Sequence, residues 1–191
     1  MKTSKLLSMK TIKLLSLLAF SGIVLFSCSD DDDPEEVNEE ETITTLVVNL
    51  TPSGGGTTIT LTSQDLDGDG PNDPVLTVSG NLAATTTYNG SATFSNETEN
   101  PAGDITMEVE EEGEEHQLIY VYTGSIEDVY NLDDDGNGND LGLSFDLDTG
   151  AAGSATLNVT LRHEPTKPND GTLAGAGGST DFTATFNITV E

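Results

Sequence analysis

Four aspartates in one short run form the clearest chemical motif of the sequence, Asp65-Leu66-Asp67-Gly68-Asp69-Gly70-Pro71-Asn72-Asp73. Side-chain oxygens at the first, third and fifth positions of such a loop converge on one point when glycine at the sixth position permits a sharp turn. The seventh carbonyl and the ninth side chain complete an oxygen cage suited to Ca²⁺. We therefore expect calcium to bind through Asp65, Asp67, Asp69 and Asp73.

This loop resembles the calcium repeats of thrombospondin type 3 and dockerin modules. Its twelfth position is Leu76, where an EF-hand has a bidentate glutamate. The resemblance therefore implies weak binding, with a Kd of about 10⁻⁴ to 10⁻³ M. The alternative interpretation is a solvated turn between two strands.

A second acidic loop, residues 131–140, fits the same template more loosely. Its equivalent ligands are Asn131, Asp133, Asp135 and Asn139. Asparagine ligands carry no charge, so we expect this loop to bind Ca²⁺ more weakly than the first.

The two histidines have the positions of residues at strand ends. His116 shares strand parity with Leu118, and His163 shares it with Leu161, so both rings should point toward the core. If the two strand ends are neighbours, His116 and His163 with Glu115 or Glu164 form a transition-metal site of imidazole and carboxylate ligands. Otherwise each histidine is a separate, hydrogen-bonded edge residue.

Motifs for catalysis are missing from the sequence. It has no Gly-x-Ser-x-Gly elbow, no His-Glu-x-x-His and no phosphate-binding loop, and it contains no tryptophan for stacking on sugars. The glutamates of residues 108–115 are typical of a solvated charged face. We therefore predict a protein that is not an enzyme.

The elements that must position these residues are strands. From Ile43 onward the apolar residues alternate with a period of two and are rich in β-branched types. This pattern predicts about nine strands, a hairpin with arms at 105–109 and 118–122, and no helix. We expect an all-β, antiparallel sandwich over residues 42–191.

One stretch of this region indicates the kind of sandwich. Leu82, Thr86 and Tyr88, running into Ala92 and Phe94, resemble the tyrosine corner of fibronectin type III domains. In such a corner the tyrosine hydroxyl bonds to nearby backbone and fixes a crossing between sheets. The resemblance implies an immunoglobulin-like fold.

Charge excludes one class of partner. Beyond residue 27 the only basic residues are Arg162 and Lys167, against 34 aspartates and glutamates. Binding to nucleic acid depends on clustered lysine and arginine, so we expect no nucleic-acid partner. The partners that remain possible are cations, cationic surfaces and neutral ligands.

The first 27 residues have the pattern of an export signal. Lys2, Lys5, Lys10 and Lys13 precede an apolar run at 14–26, which is too short to span a bilayer. The run ends in Leu25-Phe26-Ser27-Cys28, which resembles a bacterial lipobox. The resemblance implies cleavage before Cys28 and attachment of diacylglycerol to the sulfur of this single cysteine.

Residues 28–41 follow as an acidic tether with almost no apolar residues, a composition typical of disordered chain. The aspartates directly after Cys28 resemble the surface-export signal of Bacteroidetes lipoproteins. This implies a lipid-anchored protein of the outer membrane, exposed at the cell surface or facing the periplasm.

The stretches 111–120, 161–167 and 180–190 resemble a group of small Bacteroidetes surface lipoproteins that have no settled function. Three roles remain open for such a protein. The first is a calcium-binding surface protein that contacts an envelope partner, and the second is an accessory lipoprotein for metal or nutrient import that serves an outer-membrane receptor. The third is an adhesion or matrix module.

Overall fold

The structure, a computed structural model, describes residues 42–68 and 70–191. The predicted signal peptide 1–27, the lipidation site Cys28, the tether 28–41 and the calcium ligand Asp69 lie outside the described residues. No helix within the described part has the length and apolar character needed to cross a membrane.

The larger of two antiparallel sheets contains seven strands. They are β1 (Thr45–Pro52), β2 (Ile59–Gln64), β3 (Val75–Val78), β4 (Thr87–Asn96), β5 (Gly103–Asp104), β7 (Ile126–Tyr130) and β8 (Ser144–Thr149). Their spatial order is β3-β2-β1-β4-β8-β7, and β5 pairs with β4. The long strands β1 and β4 therefore form the centre of this sheet.

The smaller sheet contains β6 (His116–Gly124), β9 (Gly153–His163) and β10 (Ser179–Val190), in the order β10-β9-β6. Alternate residues of β9, from Ala155 to Leu161, are fully buried. They join one hydrophobic cluster with the inward residues of the larger sheet, such as Leu46 and Phe94. Burying one face of each sheet in a shared core makes a sandwich, so the predicted all-β fold is confirmed.

The tyrosine corner is present. Tyr88 is almost fully buried, and its hydroxyl accepts a hydrogen bond of 2.7 Å from the backbone N–H of Ala83. Thr86 donates to the carbonyl of Ala84 over 3.0 Å. The chain entering β4 is thus tied to the segment before it, as the spacing of these residues predicted, in an immunoglobulin-like sandwich.

The prediction of a hairpin whose first arm lies at 105–109 is wrong, and so is the prediction that the chain has no helix. Residues Ile105–Glu111 form a helix, α1, which begins where the Asp104 side chain accepts a hydrogen bond from the N–H of Met107. Ile105 and Val109 are buried while Met107 is exposed, which is helical and not strand spacing. Thr106 bonds to both backbone groups of Phe94, so α1 satisfies β4 between the stretches that pair with β8 and β5.

Two smaller differences concern element number. The glycine-rich link 171–178 contains a short helix, α2 (Leu173–Ala176), and β7 is a strand that the sequence pattern did not predict. The total is ten strands where about nine were expected.

Candidate metal centre

Three strands of the smaller sheet meet at one end and bring the two histidines together. His116 is the first residue of β6 and His163 is the last residue of β9, and antiparallel pairing places them directly opposite each other. Their ring centroids are 4.8 Å apart, with an angle of 70° between the planes. The two strand ends are therefore neighbours, which is the condition for the predicted metal site.

Both imidazoles lie inside the protein. His116 has no solvent exposure and His163 is 4% exposed. The inward neighbours on the same strands, Leu118 and Leu161, are fully buried. Parity along the strands therefore directs the two rings to the core side, as predicted.

The third member of the cluster is Asp181, on β10. In the pairing of β10 with β9, Thr180 faces Arg162 and Phe182 faces Leu161, so Asp181 is the extra residue of a β-bulge. A bulge breaks the alternation of a strand and re-aims one side chain. The carboxylate of Asp181 consequently lies beside the histidines with its side chain 3% exposed.

The distances from Asp181 to the two histidines are of the size that a shared metal ion requires. Oδ2 of Asp181 is 3.4 Å from Nδ1 of His163 and 3.7 Å from Nε2 of His116. Two ligands at about 2.1 Å from a tetrahedral ion are separated by about 3.4 Å. Both distances exceed the ordinary N–H···O range of about 2.7 to 3.2 Å, and both are of ion-pair length when a histidine is protonated.

The end of helix α1 provides a hydrogen-bond acceptor for His116. Its Nδ1 lies 3.2 Å from the carbonyl of Glu112, the residue that caps the C-terminus of this helix. A helix end has carbonyls without intrahelical partners, and Nδ1–H can donate to this one. With the proton on Nδ1, the lone pair of Nε2 would face Asp181, which is the arrangement found around metal-binding histidines.

Burial also keeps His116 in the form that binds metals. Removal of the ring from water lowers its pKa below 6.5, assisted by neighbouring His163. The carbonyl of Glu112 and the charge of Asp181 act in the opposite direction but do not overcome burial. The imidazole is therefore neutral at pH 7, and neutral imidazole is the metal ligand.

His163 contributes a polar atom that nothing in the described part of the chain satisfies. Its Nε2 is buried and has no hydrogen-bond partner there. Leaving a buried polar atom unpaired costs about 1 to 3 kcal/mol. Such atoms are rare in native structures and often mark a functional site, although the ring nitrogen that faces Asp181 is the other one, Nδ1.

Glu115 and Glu164, the acids that the sequence analysis placed beside the histidines, are both exposed. Their backbones are joined by a hydrogen bond of 2.7 Å from the N–H of Glu164 to the carbonyl of Glu115. Asp181 takes the place expected for them. No local sequence signal identifies Asp181, because a bulge in the pairing of β10 with β9 was needed to turn it inward.

In the first acidic loop, the side chain of Asp65 binds backbone N–H groups of the loop itself. Oδ1 of Asp65 accepts hydrogen bonds from the N–H groups of Asp67 and Gly68, at 3.3 and 3.0 Å. Oδ2 of Asp67 accepts from the side chain of Asn72 over 2.6 Å, and Asp73 is exposed. Calcium binding by this loop stays a prediction, because Asp69 lies outside the described residues.

The second acidic loop directs its side chains to separate partners. Asn131 donates to Asp146, while Oδ1 of Asp133 accepts from the N–H groups of Gly142 and Ser144 at 2.9 Å each. Asp135 accepts from the N–H of Asn139 and forms an ion pair of 3.1 Å with Lys167. Calcium would have to displace these partners, and its binding here also stays a prediction.

Within the described residues, His116, His163 and Asp181 form the one group of three acidic, histidine or cysteine ligands close enough to hold an ion. Their ligand atoms lie within 4.8 Å of one another. No protein-family model, curated protein or solved structure matches the chain.

Proposed function

We propose that this chain is a metal-binding protein whose β-sandwich holds a divalent transition-metal ion at His116, His163 and Asp181. The observation that carries the proposal is the spacing of these three buried groups, 3.4 and 3.7 Å about one carboxylate oxygen. An arrangement of two imidazoles and a carboxylate suits Zn²⁺, Cu²⁺ or Ni²⁺. Calcium prefers six to eight oxygen ligands and fits this cluster poorly.

The charge of the site supports the same conclusion. A carboxylate in a buried position loses the hydration that stabilises its charge, and the imidazole of His116 is neutral near pH 7. A divalent ion would neutralise Asp181 and satisfy the lone pairs of the imidazoles together. The surrounding acidic chain, with 34 carboxylates, would further favour a cation.

Among the three roles left open by the sequence, this site favours that of an accessory lipoprotein for metal import, acting by binding and not by catalysis. Three protein ligands leave one position of a tetrahedron for water or for a group from a partner. The lipid anchor at Cys28 and the outer-membrane location belong to this proposal. Calcium in the acidic loops is compatible with it, because the loops and the cluster share no residue.

Metal titration tests the proposed function. The full chain, purified in detergent and stripped of metal with a chelator, is titrated with Zn²⁺ and Cu²⁺ in competition with a chromophoric chelator. We expect one ion per chain, with binding weakened at least about 100-fold in His116→Ala and Asp181→Asn, since each removes a direct ligand.

The matched controls are Glu115→Gln and Glu164→Gln, which remove the exposed acids next to the two histidines. They should leave the affinity unchanged. Equal losses in these controls, or a wild-type protein that binds neither ion, would contradict the proposed function.

A further inference from the structure

Arg162 lies next to the metal cluster but on the opposite face of its strand. It precedes His163 on β9, so its side chain points outward while the imidazole points inward. It is one of two basic residues beyond residue 27, and among the described residues it makes no ion pair with a carboxylate. The positive charge of Arg162 therefore does not serve to neutralise one of the abundant carboxylates.

The guanidinium binds the turn that leads into β10. Its Nε donates to the carbonyl of Gly177 over 2.8 Å, and Nη2 donates to the carbonyls of Gly177 and Gly178. Nη1 donates to the hydroxyl of Thr180. The rigid, planar fork of arginine can reach all of these acceptors at once, whereas a lysine ammonium cannot.

This turn is held tightly against the histidine strand. Gly178 has a φ of +68°, and a Cβ atom added to it would lie 2.1 Å from the carbonyl oxygen of His163. Only glycine fits this approach. Three residues later the chain forms the bulge that turns Asp181 inward.

We propose that Arg162 is a positioning residue for the metal centre, which fixes turn 177–180 and through it the bulge that aims Asp181 at His116 and His163. This inference rests on the proposed function. Arg162 does not touch the ion. It couples the end of β9 that carries His163 to the backbone before Asp181, so that two ligands from different strands keep one separation.

The test is a double-mutant cycle on the full chain with Zn²⁺ affinity and Co²⁺ visible absorption as readouts, since the absorption reports the ligands around the ion. Arg162→Met should weaken binding about 10- to 100-fold, as loss of an outer-shell partner does. Its Co²⁺ spectrum should resemble that of Asp181→Asn. The double variant should bind little worse than Asp181→Asn alone, because both changes remove the same ligand.

Asn158→Ala is the matched control. Asn158 also ties β9 to β10 by side-chain hydrogen bonds, to Thr183, Ala184 and Thr185, but at a distance along the strands from the bulge. Its loss should leave affinity and spectrum unchanged. An Arg162→Met variant that binds like wild type, or losses that add in the double variant, would overturn the inference.

A metal-free readout separates this inference from the proposed function. In the metal-free chain the ¹⁵N chemical shifts of the imidazoles report their tautomers and their contact with Asp181. Arg162→Met should change these shifts in the same way as Asp181→Asn, while Asn158→Ala should not. If the wild-type protein binds no metal, the proposed function fails. Unchanged ¹⁵N shifts in Arg162→Met would independently contradict the positioning role of Arg162.

Discussion

At the scale of single residues, the cluster is made by three groups that the sequence scatters over 66 positions from His116 to Asp181. Each is aimed by a different local device. A helix-end carbonyl orients His116, strand alternation orients His163, and a bulge orients Asp181.

The sequence predicts only part of this arrangement. Strand parity was enough to place both histidines on the core side, because alternation is a local property. Strand parity could not show that β6 and β9 are neighbours. The sequence also suggested Glu115 and Glu164 as the carboxylate ligands, whereas the structure has Asp181 in that place. A bulge depends on how the whole strand pairs, so a residue that reaches the core through one escapes a local pattern.

A testable prediction at this scale concerns the pKa of Asp135. Burial would raise its pKa, but hydrogen bonds from the backbone of Asn139, from Lys167 and from the backbone of Asn137 outweigh burial and lower the pKa from 3.8 to about 2. The unfolded chain therefore takes up this proton at higher pH than the folded one. The resulting stabilisation is present above about pH 4 and is lost as pH falls through about 2.

Urea unfolding between pH 5 and 2 measures this effect. Asp135→Asn should lose less stability than wild type over that range, because it lacks the titrating carboxylate. Asp134→Asn, at the exposed neighbouring position, should follow the wild-type curve. Parallel curves for wild type and Asp135→Asn would show that the Asp135 carboxylate contributes no acid sensitivity.

At the scale of elements, the main surprise is helix α1. Ile105, Met107 and Val109 alternate as a strand would, so the sequence predicts a hairpin arm, yet Ile105 and Val109 are also four residues apart on a helix. Two features outside that pattern favour the helix over the strand. Asp104 caps the first turn, and Thr106 satisfies the backbone of Phe94 at the end of β4.

Paired substitutions distinguish the helix from the strand. Val109→Ala should destabilise the protein by about 1 to 3 kcal/mol, since it removes buried methyl groups from the core. Met107→Ala should change stability by no more than about 0.5 kcal/mol, because Met107 is 56% exposed. Equal costs, measured by chemical unfolding, would indicate a strand with both side chains on one face.

The tyrosine corner makes a separate prediction at this scale. Tyr88→Phe leaves the backbone N–H of Ala83 without its acceptor near the core, and should cost about 1 to 3 kcal/mol. Tyr122→Phe is the control, because its hydroxyl bonds Asp128 at the surface. A loss no larger than the control's would mean that the corner adds nothing to stability.

At the scale of the whole molecule, the excess of carboxylates is the dominant property. The sequence has 34 acidic and 6 basic residues, and self-repulsion of that kind opposes the compact state. Composition alone predicts this, just as periodicity alone predicts a sandwich. The order of strands in the two sheets could not be predicted from composition or periodicity, because it depends on pairing between residues far apart in the sequence.

Salt and calcium should therefore stabilise the protein by different routes. Raising KCl from 20 to 300 mM should increase the melting temperature by screening repulsion. Ca²⁺ at matched ionic strength should raise it further if the loop at 65–73 binds the ion, and this extra rise should vanish in Asp67→Ala. An unchanged response in Asp67→Ala would assign the calcium effect to another part of the surface.

The most direct test of the central claim is a crystal structure of the zinc-loaded protein with anomalous data collected at the zinc edge. The account predicts one strong anomalous peak about 2.0 to 2.2 Å from a nitrogen of His116, a nitrogen of His163 and an oxygen of Asp181. Anomalous density confined to the acidic loops, with His116, His163 and Asp181 free of metal in the loaded crystal, would contradict it.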